Sequence, residues 1–290
     1  MSYHIDFNRD RPADEPDFVQ HLFEVIKDGL DGPGDVSTNA AALADTIRAE
    51  GAAALADAIR EGSKNGAHWF IEALCILVVE IAHFLPPDHP WQDTFVQAMQ
   101  NVQQTDGHVE QLDEDEGLDW KHLPELRIFI RDFWIDPTDP TDLDDCTPKA
   151  VSEWENFNSF VARFKTETFT RWLTFPIWQL RDGLEEKLDR GPILNSRLWV
   201  ATEWILHYGE IIFEDQVSKL ELDADLARAL QGGPLCAGIA PLSWERMAFW
   251  KKRLAEMLSE REALGLSNKL ADRVVKAAEK IDEFESTHPH

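Results

Sequence analysis

The segment from Ser152 to Glu186 concentrates Trp154, Phe157, Phe160, Phe164, Phe169, Trp172, Phe175 and Trp178, with Asn156, Asn158, Arg163, Arg171, Arg181 and Asp182 set among them. An apolar ligand site needs this mixture: rings supply contact area and a few polar groups fix orientation. Trp154, Phe157, Phe160, Val161 and Phe164 recur at three and four residues and form one face of a helix. Asn158 borders that face, and Arg163 points to the other side. In the following helix Phe169, Trp172, Pro176, Ile177 and Leu180 form one stripe, and Arg171, Phe175, Trp178, Asp182 and Glu185 another. Pro176 is expected to kink this helix and to release a backbone carbonyl near Trp172. The same aromatic residues also read as ordinary core.

A second constellation lies in Trp199 to Glu214, where Glu203, His207, Glu210 and Glu214 follow at spacings of four, three and four and share one helical face. An imidazole between carboxylates keeps its proton more easily, which suits an acid or base near neutral pH. The alternative is a solvent-facing edge held by local pairs. A third, Glu80 to His83 with Glu72 two turns earlier, has the carboxylate and imidazole spacing used by di-iron bundles. Those bundles need the motif twice together with two further glutamate ligands, and His207 to Glu210 has the reverse order. No metal is therefore assigned, and His83 before Pro86 and Pro87 reads as a helix-terminal histidine favoured by the helix dipole. The acidic run from Asp136 to Asp145 lacks the glycine and final glutamate of a calcium loop and reads as a solvated turn. Glycine-rich nucleotide loops, a nucleophile elbow and paired cysteines are also missing, so no cofactor is expected.

Helices must position these groups. Apolar periodicity bounded by proline, glycine and capping residues predicts helices over Pro16 to Lys27, over Ser37 or Thr38 to Arg60 with one of those two as cap, His68 to Leu85, Pro90 to Gln104 and Leu123 to Trp134. Further helices are predicted over Pro148 to Lys165, Thr168 to Leu188, Leu194 to Lys219, Ala224 to Leu230, Ser243 to Glu260 and Ser267 to Glu285. The stretch around Asp113 to Gly117 reads as an acidic connection. No hairpin is evident. The predicted fold is all-α, an irregular bundle of about ten helices in a single domain. That domain spans residues 1–290, with a candidate sub-boundary in the acidic loop at 136–147.

The net charge of -26 is concentrated in residues 1–241, because residues 242–290 carry nine basic and nine acidic side chains. Such a surface repels phosphates and anionic headgroups, so no nucleic-acid or membrane partner is expected. It serves solubility or an acidic docking face. The longest apolar run, Ala73 to Val79, is far shorter than the roughly 18 to 20 residues a bilayer needs. The first residues lack a secretory pattern, so the expected compartment is cytoplasmic. Cys75, Cys146 and Cys236 are an odd set at wide spacing and read as reduced thiols.

Two groups of residues carry a family resemblance. Trp154, Phe157, Asn158, Ala162 and Arg163, followed by Phe175, Pro176, Ile177, Trp178, Arg181, Asp182 and Glu185, form the first. Leu77, Ile81, Ala82, His83, Phe84, Leu85, Pro86, His89, Pro90, Trp91, Gln92 and Asp93 form the second. Together they resemble an uncharacterised all-helical fungal family of the domain of unknown function 3632 type. The family brings no catalytic residues to transfer. Some of its members lie beside fungal natural-product enzymes, and the resemblance therefore implies small-molecule chemistry. The expected function is a cofactor-independent enzyme of fungal secondary metabolism acting on an apolar small molecule: a cyclase or isomerase, in its sharpest form an intramolecular Diels-Alder type cycloaddition. Trp154, Phe157, Trp172, Phe175, Trp178 and Tyr208 would then shape the pocket. Asn158 or Arg163 would donate to a carbonyl, and His207 with Glu203 or Glu210 would move protons. The alternatives are a non-enzymatic helical interaction protein with an acidic surface and a di-iron oxidase. A homodimer is left open.

Overall fold

In the computed structural model the described residues are 15–63, 66–104, 120–121, 123–139, 141, 144, 146–165, 172–218 and 220–288, with side chains described from residue 68 in the third helix. Among them the secondary structure is helical, without strands. The helices are α1 (Asp17–Leu30), α2 (Val36–Glu61), α3 (Gly66–Phe84), α4 (Pro90–Gln104), α5 (Pro124–Asp132), α6 (Pro148–Arg163), α7 (Thr174–Leu180), α8 (Pro192–Val217), α9 (Ala224–Ala229), α10 (Trp244–Ser259), α11 (Arg261–Leu264) and α12 (Asn268–Thr287). The chain divides into two compact units, residues 1–136 with 152–170 and residues 137–151 with 171–290. The first change of unit falls at Asp136 and Pro137, at the head of the acidic turn. The acidic stretch 113–117, Phe169, Arg171 and parts of the 136–145 run lie outside the described residues.

In the first unit α1 and α2 form an antiparallel pair. Gly29 meets Leu43, where an added Cβ would come within 2.7 Å of Leu43 Cδ1, and His21 pairs with Glu50 at 3.3 Å. The turn between them is closed by Asn39, whose Nδ2 donates to the carbonyls of Gly32 and Gly34 and whose Oδ1 accepts from Gly34 N–H. The cap of α2 is not Ser37 or Thr38. Asp35 accepts from Thr38 N–H at 2.8 Å, because the side chain two residues earlier reaches the unpaired donors of the first turn. Leu74, Leu77, Val78 and Ile81 of α3 are fully buried with Phe95 and Met99 of α4, which makes α3 the apolar centre its composition predicts.

In the second unit α8 and α12 run parallel. Glu203 pairs with Arg273, Glu210 with Lys280 at 3.5 Å, and the Phe213 and Phe284 rings lie 5.3 Å apart, a near-constant offset along both helices. Ser243 and Ser267 cap α10 and α12 by accepting from Arg246 and Leu270 N–H, each at 3.2 Å. The Pro176 kink does not occur. The helix starts at Thr174, so Pro176 falls in the first turn, where its missing N–H has no partner to lose. The departure from α geometry comes later, as a π-turn over Arg181–Glu185. Gly183 permits the approach of this turn to α8, since a Cβ there would lie 2.6 Å from the Arg197 carbonyl oxygen.

Candidate functional site

The residues expected to form a site divide between the two units. In the first, Trp154 and Phe157 are buried, and the Trp134 ring packs on both at 5.1 and 5.5 Å. The Asn158 amide, fully buried, donates to the Trp154 carbonyl of its own helix at 3.0 Å. Arg163 Nη1 donates to the Pro87 carbonyl at 3.0 Å and to Gln92 Oε1, and pairs with Asp93 at 3.3 Å.

Gln92 is the hub of this arrangement. Its Nε2 donates to the carbonyls of Leu85 and Asn156, each at 3.0 Å, while its Oε1 also accepts from Ser159 Oγ at 2.8 Å. Asn156 Nδ2 in turn donates to the His83 carbonyl at 2.8 Å. Pro86 and Pro87 interrupt α3, and the carbonyls on either side of the break lose their helical partners. Side chains of α4 and α6 satisfy these carbonyls and so tie α6 to the α3–α4 turn. The His83 ring stacks on Phe157 at 4.3 Å and its Nδ1 meets the Val79 carbonyl at 2.7 Å. Burial pushes the imidazole below its ordinary pKa, against the opposing effect of the hydrogen bond to the Val79 carbonyl. The neutral form is favoured despite the helix C-terminus.

In the second unit the Tyr208 hydroxyl accepts from Trp172 N–H at 2.9 Å, and the Trp172, Phe175 and Trp178 rings follow one another at 4.7 and 5.7 Å. Trp172, Phe175 and Tyr208 are buried, and Trp178 Nε1 donates to the Ala229 carbonyl at 2.9 Å. The Glu203 row divides by depth. Glu203 is fully buried and meets Arg273 and His207, the latter at 3.3 Å. Arg273 also donates to Thr202 Oγ1 at 3.3 Å and lies 4.5 Å over the Trp199 ring. Glu210 is exposed, and so is Glu214. The row is thus neither wholly solvent-facing nor a convergent acid-base cluster.

Glu185, on the π-turn, is fully buried. It accepts from Arg246 Nε and Nη2 at 2.7 and 3.0 Å, from Trp250 Nε1 at 2.6 Å and from Gly233 N–H at 2.7 Å. Arg246 also donates to the carbonyls of Leu230 and Pro241. Every strong donor and acceptor of this pair is matched within the protein, which is the signature of a structural clasp.

An open volume occurs beside α1 and α3. A cavity of about 360 Å³ lies between the start of α1 and one stripe of α3. Phe18 and Val19 contribute from α1, and Trp69, Ala73 and Ile76 from α3 at helical spacing, with Glu15, Glu72 and Glu80 supplying carboxylates. Trp69 is 56% and Phe18 42% exposed, so two large rings stand in water at its edge. Glu80 lines this cavity while His83 stacks on Phe157, so this pair does not converge. Among the described residues no group of three or more His, Cys, Asp or Glu is placed to hold a metal ion. No helix among them is long and apolar enough to cross a membrane.

A family model described as a protein of unknown function, DUF3632, matches residues 76–254, more than half of the chain. The chain belongs to the DUF3632 family. No curated protein and no solved structure matches it. The matched region of this DUF3632 protein holds both the Gln92 hub and the Glu185–Arg246 clasp, so the resemblance carried by Gln92, Asn158, Arg163 and Glu185 coincides with contacts that hold the fold together. Phe18, Trp69 and Glu72 lie ahead of the matched region, whereas Ile76 and Glu80 lie within it.

Sequence reasoning missed Arg246 and Arg273, which stand 61 and 70 residues from the carboxylates they meet. No local spacing signals such partners. The cavity had a visible signal: Trp69, Glu72, Ala73, Ile76 and Glu80 share one stripe of an otherwise apolar helix. In this DUF3632 protein that stripe marks where α3 leaves its core contacts.

Proposed function

We propose that this protein binds an apolar small molecule in the cavity between α1 and α3. The observation that carries this reading is the exposure of Trp69 and Phe18 at the edge of a cavity walled by Val19, Ala73 and Ile76. Apolar surface covered by a ligand gains roughly 25 cal/mol per Å². The volume of about 360 Å³ is in the range of small-molecule sites. The ligand class is the one the family resemblance implies, and the described aromatic rings of the Ser152–Glu186 segment pack against neighbouring rings.

Conversion of that ligand by cyclisation or isomerisation, within fungal secondary metabolism, is the narrower reading. Its support is the resemblance alone, since Asn158 and Arg163 both serve contacts of α6. Incubation of the protein with extracts of a producing strain tests this step, and an unchanged metabolite profile counts against it.

Binding is tested with N-phenyl-1-naphthylamine, a neutral probe whose fluorescence rises in apolar surroundings. A saturable rise is expected with the wild-type chain, and a weaker one with Trp69→Ala and Phe18→Ala. Both side chains are exposed, so circular dichroism and Tm should match the wild type. Undiminished binding by both variants would place the probe elsewhere and sink the reading.

A further inference from the structure

We infer that the ligand of the α1–α3 cavity is cationic: an amine on an apolar skeleton, its ammonium group beside Glu72 and its body against Trp69. This rests on the binding reading above and adds the charge of the ligand. Glu72 stands one helical turn after Trp69 and one before Ile76, so an aromatic ring, a carboxylate and an aliphatic side chain follow one another along a single wall.

Glu72 is half-buried, and among the described residues it makes no hydrogen bond or ion pair. A cation entering the cavity gives this carboxylate the counter-charge that the described residues do not supply. Glu15 and Glu80 add two more carboxylates to the same wall, and no Lys, Arg or His among the described residues lines it. The charged side chains that line the cavity among the described residues are all acidic, and the net charge of -26 draws cations toward the surface. The exposed indole of Trp69 adds a face that attracts ammonium groups. These charges disfavour phosphorylated and carboxylated ligands. The low polarity of Phe18, Val19 and Ile76 disfavours bare metal ions and small polyols, which would lose hydration without replacement.

Charge is isolated by three compounds sharing one ring system: 1-naphthylmethylamine, 1-naphthalenemethanol and 1-naphthylacetate, each displacing N-phenyl-1-naphthylamine from the full chain. The amine is expected to bind about tenfold tighter than the alcohol, and the acetate more weakly than either. Glu72→Gln should bring the amine close to the alcohol, and added salt should narrow the gap in the wild type. Glu80→Gln, measured alongside, should reduce the same ratio by a smaller factor. Equal affinities for amine and alcohol in the wild type overturn the charge assignment while leaving apolar binding intact. An amine preference that survives both substitutions overturns it as well. If the neutral probe itself fails to bind, the underlying reading falls and this inference falls with it.

Discussion

Arg246 grips Glu185 with two parallel hydrogen bonds, Nε to Oε1 at 2.7 Å and Nη2 to Oε2 at 3.0 Å, and both side chains are fully buried. The pair joins the π-turn after α7 to α10, and Arg246 holds the loop after α9 through the Leu230 carbonyl. Arg246→Met removes the guanidinium and leaves Glu185 as a buried charge. The expected loss is about 3–5 kcal/mol of unfolding free energy, measurable by urea denaturation. A loss near zero would show that water or another side chain replaces the guanidinium.

The Gln92 hub makes a second demand on stability. Gln92→Leu keeps the side chain near its original size but removes the acceptor of Ser159 and Arg163 and the donor to Leu85 and Asn156. The expected cost is roughly 2–3 kcal/mol, because buried polar groups are left unmatched. Hydrogen exchange at the start of α4 and along α6 should quicken in this variant. Unchanged exchange there would mean that the helix contacts do not depend on the hub.

His83 gives the protein a predictable acid response. Burial holds its folded pKa below the ordinary value of 6.5, so as pH falls the unfolded chain takes up the proton first. Its contribution is complete above pH 6.5 and declines as pH drops from there through the folded pKa. Urea midpoints taken from about pH 8 to about pH 5.5 should fall more in the wild type than in His83→Gln. Identical slopes would show that the imidazole does not report on folding.

The three thiols should differ in reactivity. Cys75 and Cys236 are buried, and burial pushes both thiol pKa values up, that of Cys236 to about 11 with the Glu185 charge assisting. Cys146 is only half-buried. Treatment with a maleimide near neutral pH, followed by mass spectrometry, should label Cys146 before the other two. Simultaneous labelling of Cys236 would reveal opening of the loop held by Arg246.

The helices were legible because their signals are local. Pro90 at the start of α4, the Ser243 and Ser267 caps, and the apolar periods of α6 and α10 each involve residues within a turn or two of one another. Pro176 shows the limit of such signals. A proline kinks a helix interior and suits a first turn, and only the true start at Thr174 decides between the two. The expected site depended on more distant facts. Glu203, His207 and Glu210 have one spacing in the sequence, yet Glu203 is sealed beneath Arg273 while Glu210 stays in water, because α12 covers only part of that face.

What the sequence determined by itself was an all-helical chain, most of its helix limits to within a few residues though not those of α7, the family it belongs to, and a strongly negative net charge. Tertiary structure alone decided that Gln92 and Arg163 act as a clasp around the Pro86–Pro87 break and that Glu185 finds Arg246. It also decided that an open volume lies beside Trp69 and Glu72. Periodicity reports which side chains share a face, whereas burial and partnership depend on which distant helix arrives to cover that face.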